Sequence, residues 1–130
     1  MRIVVNGGVN TLEAIEPQLS RVDGVMLGRV AYHDPYVLAQ AGVLLFGEPP
    51  RPRSAIVDAM FAYAIGQVAR GTPLRAIVRH TLGLYHGQPN ARIWRRMLSD
   101  ADFLAANRPR LLLDAMEATE NGARMLAAVA

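Results

Sequence analysis

Ile3-Val4-Val5-Asn6-Gly7-Gly8 and Asp23-Gly24-Val25-Met26-Leu27-Gly28-Arg29 are the two stretches that decide the fold. Each is a short apolar run that ends in a glycine-containing turn. Between them, Thr11 to Leu19 is amphipathic, with Leu12, Ile15 and Leu19 on one stripe. Strand, helix and strand in that order predict a βαβ unit with parallel strands and a right-handed crossover. Both turns then fall at the carboxyl ends of neighbouring strands, where glycine lets backbone approach a ligand closely. Val25, Met26 and Leu27 leave no polar face, as expected of a parallel strand covered on both sides.

Loops after the seventh and eighth strands of a (β/α)₈ barrel form its usual phosphate site. Residues 1–46 therefore read as the last two βα units of a TIM (β/α)₈ barrel, an α/β fragment with two parallel strands. A whole barrel takes about 250 residues, and this chain has 130, so six units are expected to lie outside it. The longest apolar run, Ala41 to Phe46, is far short of a membrane span. Met1 opens directly into a strand with no export signal, so the expected compartment is the cytoplasm. Zero cysteines exclude disulfides, cysteine-ligated metals and a thiol catalyst within the chain.

Charge is unevenly spread. Residues 1–50 carry three Arg against five acids, and residues 100–130 the same, whereas residues 51–99 carry eight Arg against Asp58 alone. A basic block of +7 between two acidic ones points to a polyanion partner for the middle third.

Thr11 is a capping candidate, with Glu13 in the first turn of its helix. Pro35 is expected to start a short helix through Gln40, with Asp34 as its cap. Residues 47–53, Gly47-Glu48-Pro49-Pro50-Arg51-Pro52-Arg53, break helix and strand alike and read as a linker. Residues 54–130 then read as an all-α helical bundle domain. Ser54 caps its first helix, with Ile56, Val57, Met60, Phe61, Ala64, Ile65 and Val68 inward and Gly71 as the stop. A second begins at Thr72-Pro73-Leu74 with Leu74, Ile77, Val78 and Leu82 inward and Arg75 and Arg79 outward. Gly87-Gln88-Pro89-Asn90 is a turn before a third helix, Ala91 to Leu98. A fourth begins at Asn107 and Pro109, buries Leu112, Leu113 and Met116, and ends near Asn121-Gly122. The last eight residues read as a weak helix or a frayed tail.

Two constellations carry chemistry. Asn6-Gly7-Gly8 is either a tight turn or a nest of N–H groups converging on a phosphate oxygen. Its neighbour Gly28-Arg29, at the same strand end, favours the nest and adds a guanidinium for the same phosphate. A valine at Gly8 is expected to crowd that nest. On the third helix, Ile93, Trp94, Met97 and Leu98 share one face, with Trp94 read as core. Arg92, Arg95, Arg96 and Ser99 share the other. A solvated face normally interleaves acids with its arginines, and this one has none. With Arg75, Arg79, His80 and His86 on the preceding segment, it reads as a surface for RNA backbone. The three histidines, 33, 80 and 86, have no metal-ligand spacing.

These residues together resemble a known family. Asn6-Gly7-Gly8, then Asp23-Gly24-Val25-Met26-Leu27-Gly28-Arg29 with Ala31-Tyr32 and Pro35-Tyr36, is similar to the barrel end of tRNA-dihydrouridine synthases. Arg79-His80-Thr81-Leu82-Gly83-Leu84-Tyr85-His86-Gly87 and Ala91-Arg92-Ile93-Trp94-Arg95-Arg96-Met97-Leu98-Ser99 resemble the helical domain of the A-type subfamily. Asn90 stands where that pattern usually has glycine, and asparagine tolerates the left-handed conformation nearly as well. The resemblance implies an FMN enzyme, recharged by NADPH, that reduces D-loop uridines of tRNA in the cytoplasm. It places the FMN phosphate at Asn6, Gly7, Gly8, Gly28 and Arg29, and tRNA contacts at Arg79, His80, Arg92, Arg95 and Arg96. The family's catalytic cysteine and flavin-holding lysine belong to earlier barrel units, and this chain contains neither residue type. The missing N-terminal barrel portion is thus an expected partner. Two other readings stay open: a stand-alone helical RNA-binding module, and the tail of another phosphate-binding barrel enzyme.

Overall fold

The computed structural model describes the backbone of residues 1–129 and the side chains through Gly122. The chain divides into two compact units, the first ending at Pro50 and the second starting at Arg51. In the first unit, β1 (Val4–Asn6) and β2 (Gly24–Met26) pair in parallel, with Val4 opposite Gly24, Val5 opposite Val25 and Asn6 opposite Met26. Asp23 pins their starts, its carboxylate accepting from the Ile3 N–H at 2.7 Å and its own N–H donating to the Ile3 carbonyl at 2.8 Å.

The crossover is a 3₁₀ turn (Leu12–Ala14) running into α1 (Ile15–Leu19). Val9, Ile15 and Ala41 form a small core with Val5, Leu12, Leu19, Val25, Leu27 and Leu45 around it. Successive strand residues point to opposite faces, so Val5 and Val25 turn inward together while Val4 and Met26 stay 59% and 47% exposed. Burial of β2 on both faces is therefore not observed. One face of the sheet is packed and the other is bare.

Several expected boundaries and caps shift. Thr11 precedes the 3₁₀ turn in extended conformation and makes no side-chain cap bond. Gly28 leads into α2 (Arg29–His33), which sequence reading did not anticipate. The next helix, α3, is Tyr36–Phe46 and runs past Gln40 to a left-handed Gly47 at φ 65°. Asp34 makes no cap bond either, and its buried Oδ1 has no hydrogen-bond partner among the described residues.

The second unit holds α4 (Arg53–Ala69), α5 (Leu74–Val78), α6 (Ala91–Ser99), α7 (Ala101–Ala105) and α8 (Leu111–Val129). The α4 helix starts before Ser54, because the Pro52 carbonyl already accepts from Ala55 and Ile56. Val57 and Ala64 are its buried positions; Ile65 is 49% exposed rather than inward. The α5 helix ends before Leu82. The α7 helix is an addition, capped by Asp100, whose Oδ1 accepts from the Asp102 and Phe103 N–H groups at 2.9 and 3.0 Å. The α8 helix buries Leu111, Leu112, Ala115 and Thr119, leaves Leu113 and Met116 half-buried, and passes through Asn121-Gly122 without stopping. The backbone expected to be a weak helix or tail is helical to Val129; Ala130 lies outside the described residues.

Helices α6 and α4 both pack on α8. Trp94, Leu74, Leu98, Leu112, Val57 and Val78 are fully enclosed. Trp94 is core, as expected, and its Nε1–H donates to the Thr81 carbonyl at 2.8 Å, so the indole is buried without an unpaired donor.

Candidate functional site

The two glycine turns lie at the same end of the paired strands and open into one cleft of about 250 Å³. Asn6, Gly7, Gly8, Gly28 and Arg29 all line it, with Val9, Asn10 and Met26. The chain achieves this through backbone that only glycine adopts without strain: Gly7 has φ 95° and Gly8 φ 74°. Two such residues in succession turn the chain sharply at the end of β1, facing the turn that leaves β2. Arg29 is exposed and makes no ion pair among the described residues. The cleft is thus walled by two glycine turns and by a guanidinium that makes no ion pair among the described residues, a lining suited to a phosphate. Asn10 adds an amide that the motif reading missed, because its position depends on how the chain leaves Gly8.

The space beside both glycines is free of protein atoms. A Cβ at Gly7 or Gly8 would meet nothing within 4 Å. Its positive φ is a further objection to valine at Gly8, costing an L-residue about 1–2 kcal/mol.

The basic face is built by α6. Arg92, Arg95 and Arg96 are exposed, and none makes an ion pair or hydrogen bond through its guanidinium among the described residues. The ion pair of this region that is formed, Arg110–Asp114 at 3.6 Å, lies on α8 and its approach. Ser99 continues the arginine face, its hydroxyl donating to the Arg95 carbonyl at 2.6 Å. Arg79 and His80 adjoin each other after α5, where Arg79 Nε–H donates to His80 Nε2 at 3.2 Å, so that nitrogen is an acceptor. Among the described residues no group of three His, Asp or Glu could hold a metal ion.

Asn90 sets the entry to α6. It takes the left-handed conformation at φ 62° and ψ 17°, as anticipated from its place in the motif. Its side chain lies against Gly122 of α8: a Cβ there would sit 2.7 Å from Asn90 Nδ2, which is buried without a hydrogen-bond partner.

A cluster behind α6 escaped sequence reading. Tyr85 is buried against Trp94, ring centroids 4.9 Å apart, and donates to Glu120 Oε1 at 2.7 Å. Arg53 donates to the Leu84 carbonyl at 2.8 Å and lies 5.9 Å over the Tyr85 ring. Burial, then the bond to Glu120, push the Tyr85 phenol far above its ordinary value. These partners come from three separate segments, and no local motif links them.

Comparisons with known proteins show which family the chain is part of. The family model described as Dihydrouridine synthase (Dus) matches residues 1–120. The chain belongs to the dihydrouridine synthase family. Its relatives include the tRNA-dihydrouridine(20/20a) synthase of Xanthomonas campestris pv. campestris, 43% identical over 130 residues, covering 97% of this chain and 38% of the relative. The protein of the same name from Pseudomonas syringae pv. tomato is 46% identical over 116 residues, covering 88% of this chain and 34% of the relative. That of Synechocystis is 40% identical over 118 residues, covering 89% and 35%. The chain thus spans little more than a third of the length of the curated relatives it matches.

Proposed function

We propose that the chain is the C-terminal part of an FMN-dependent, NADPH-driven tRNA-dihydrouridine synthase, acting in the cytoplasm on uridines 20 and 20a, the positions in its relatives' name. The observation that carries this reading is the shared cleft of Asn6, Gly7, Gly8, Gly28 and Arg29 at one end of the parallel pair. Residues 1–46 supply the last two βα units of the barrel, residues 47–53 the linker, and residues 54–130 the tRNA-facing helices.

The cleft suits the terminal phosphate of FMN, because the Gly7-Gly8 backbone is open and Arg29 has no competing anion among the described residues. When bound, FMN supplies the hydride that reduces the uracil ring. The residues of this chain do something different: the glycine turns and Arg29 hold the phosphate end. Arg92, Arg95 and Arg96, with Arg79 and His80, hold the tRNA backbone. Each phosphate neutralised steepens the salt dependence of binding by about 0.7–0.9 log units.

This chain has no cysteine and no lysine, so the family's proton donor and flavin-holding group are not in it, and the chain by itself is expected neither to reduce uridine nor to bind FMN tightly. The N-terminal barrel portion is its required partner. The test is a chimera of the Xanthomonas campestris relative in which this chain replaces the matching third. It is expected to purify with flavin and to form dihydrouridine in unmodified tRNA, while the 130-residue chain purifies colourless. A folded chimera without flavin, or a yellow 130-residue chain, would contradict the reading.

A further inference from the structure

A second hollow, about 500 Å³, lies where α5, the end of α6 and α7 meet. That volume is within the range of ligand pockets, roughly 300–1,000 Å³. Pro73, Ala101 and Leu104 supply an apolar lining, and Arg75, Ser99 and Asn107 bring polar groups to it. The state of each polar group is set by bonds already made. Asn107 Oδ1 accepts from the Leu74 N–H at 2.7 Å, which fixes the amide and leaves its Nδ2 as an uncommitted donor. Arg75 is exposed and has no ion pair or hydrogen bond from its guanidinium among the described residues. Ser99 has spent its proton on the Arg95 carbonyl, so its oxygen is left to accept.

An apolar floor with two donors and one acceptor matches a flat heterocycle that carries carbonyl oxygens and an N–H on its edge. Ser99 also lies one helical turn beyond Arg95 and Arg96 on the same face, so a strand following the arginines reaches the hollow without leaving α6. Bases in an A-form duplex are stacked and out of reach; bases of loops and bulges can be splayed out and held. We infer that this hollow receives one unstacked base of the RNA whose phosphates lie along Arg92, Arg95 and Arg96. The inference rests on the reading of α6 as the tRNA-facing helix.

Ala105 is exposed and lines the hollow, so Ala105→Phe fills it without touching the core. Asn107→Asp adds no bulk: it keeps the acceptor for Leu74 and the left-handed preference of the position (φ 54°), but replaces the donor by an anion. Binding of a fluorescent, unmodified tRNA transcript to the full chain is measured by anisotropy across a salt series, with blunt RNA duplex as control. Ala105→Phe is expected to weaken tRNA binding about tenfold with an unchanged salt slope. Asn107→Asp is expected to weaken it as well, and by more on tRNA than on duplex, whose phosphates the added carboxylate also repels, with thermal unfolding of both variants unchanged. Parental tRNA affinity in both variants, or equal losses on tRNA and duplex, would overturn the inference. Replacing Arg92, Arg95 and Arg96 by Ala separates the two layers: it should flatten the salt slope by about 2 log units. If the slope does not move, the phosphate reading falls; if it moves and the hollow variants bind normally, only the base pocket falls.

Discussion

The two units bury their apolar residues to very different degrees. In the helical unit Trp94, Leu74, Leu98, Leu112, Val57 and Val78 are shut off from solvent, and the buried Thr119 hydroxyl donates to the Ala115 carbonyl at 2.7 Å. In the strand unit Val5 and Val25 pack on the helical side while Val4, on the opposite face, is 59% exposed. A parallel sheet is ordinarily covered on both faces, and a two-stranded sheet is marginal alone. The contrast teaches that the helices enclose a core of their own, whereas the strand unit leaves one face of its sheet uncovered.

Substitutions can break or sharpen that contrast. Trp94→Ala removes the largest enclosed side chain and should cost about 3–5 kcal/mol in the helical unit, read by chemical denaturation. Tyr85→Phe leaves Glu120 without its donor at 2.7 Å and should cost about 1–3 kcal/mol. The sign of its pH dependence follows from the raised phenol. The unfolded chain ionises near the ordinary value of 10.0 and the folded one well above it. Stability is therefore complete below about pH 10 and falls as pH rises, by up to about 1.4 kcal/mol per unit. Tyr85→Phe should flatten that decline.

Gly122→Ala should cost about 1 kcal/mol because its methyl would meet Asn90 Nδ2. In an Asn90→Gly background the same change should stabilise by about 0.5–1 kcal/mol, since alanine is the better helix former. A cost of equal sign in both backgrounds would show that the two residues are not coupled. Least of all, Val4→Thr should change stability by less than about 0.5 kcal/mol in this chain. In the Xanthomonas chimera, where the barrel portion should cover Val4, it should cost more than 1 kcal/mol. Equal effects in both would mean that this face stays bare.

What was legible in the sequence were features written in consecutive residues. Apolar runs ending in Gly7-Gly8 and Gly28 signalled parallel strands with turns at one end, and the 3.6-residue period separated Trp94 from the arginines on α6. Asn90 in the left-handed region followed from its motif. What was illegible depended on distant contacts. The α3 helix runs on through Gly42, where a Cβ would collide with the Glu48 carboxylate. Likewise α8 runs on through Gly122, where a Cβ would press on Asn90, far away in sequence. Thr11 holds the cap position, its carbonyl accepting from the Ala14 N–H, but its side chain makes no cap bond; Ser54 already lies inside α4, which starts one residue earlier. The hollow bounded by Pro73, Ser99 and Asn107 draws on three segments that no local pattern connects.

The central claim is a division of labour between the glycine turns and the arginine face. Its most direct measurement is flavin absorbance and tRNA affinity, taken together on the Xanthomonas chimera carrying either Gly8→Val or the triple Arg92, Arg95, Arg96 to Ala change. The account predicts that Gly8→Val lowers bound flavin and spares tRNA affinity, while the triple change weakens tRNA binding and leaves flavin in place. If the triple change leaves tRNA affinity intact, or Gly8→Val leaves flavin occupancy intact, the account is contradicted.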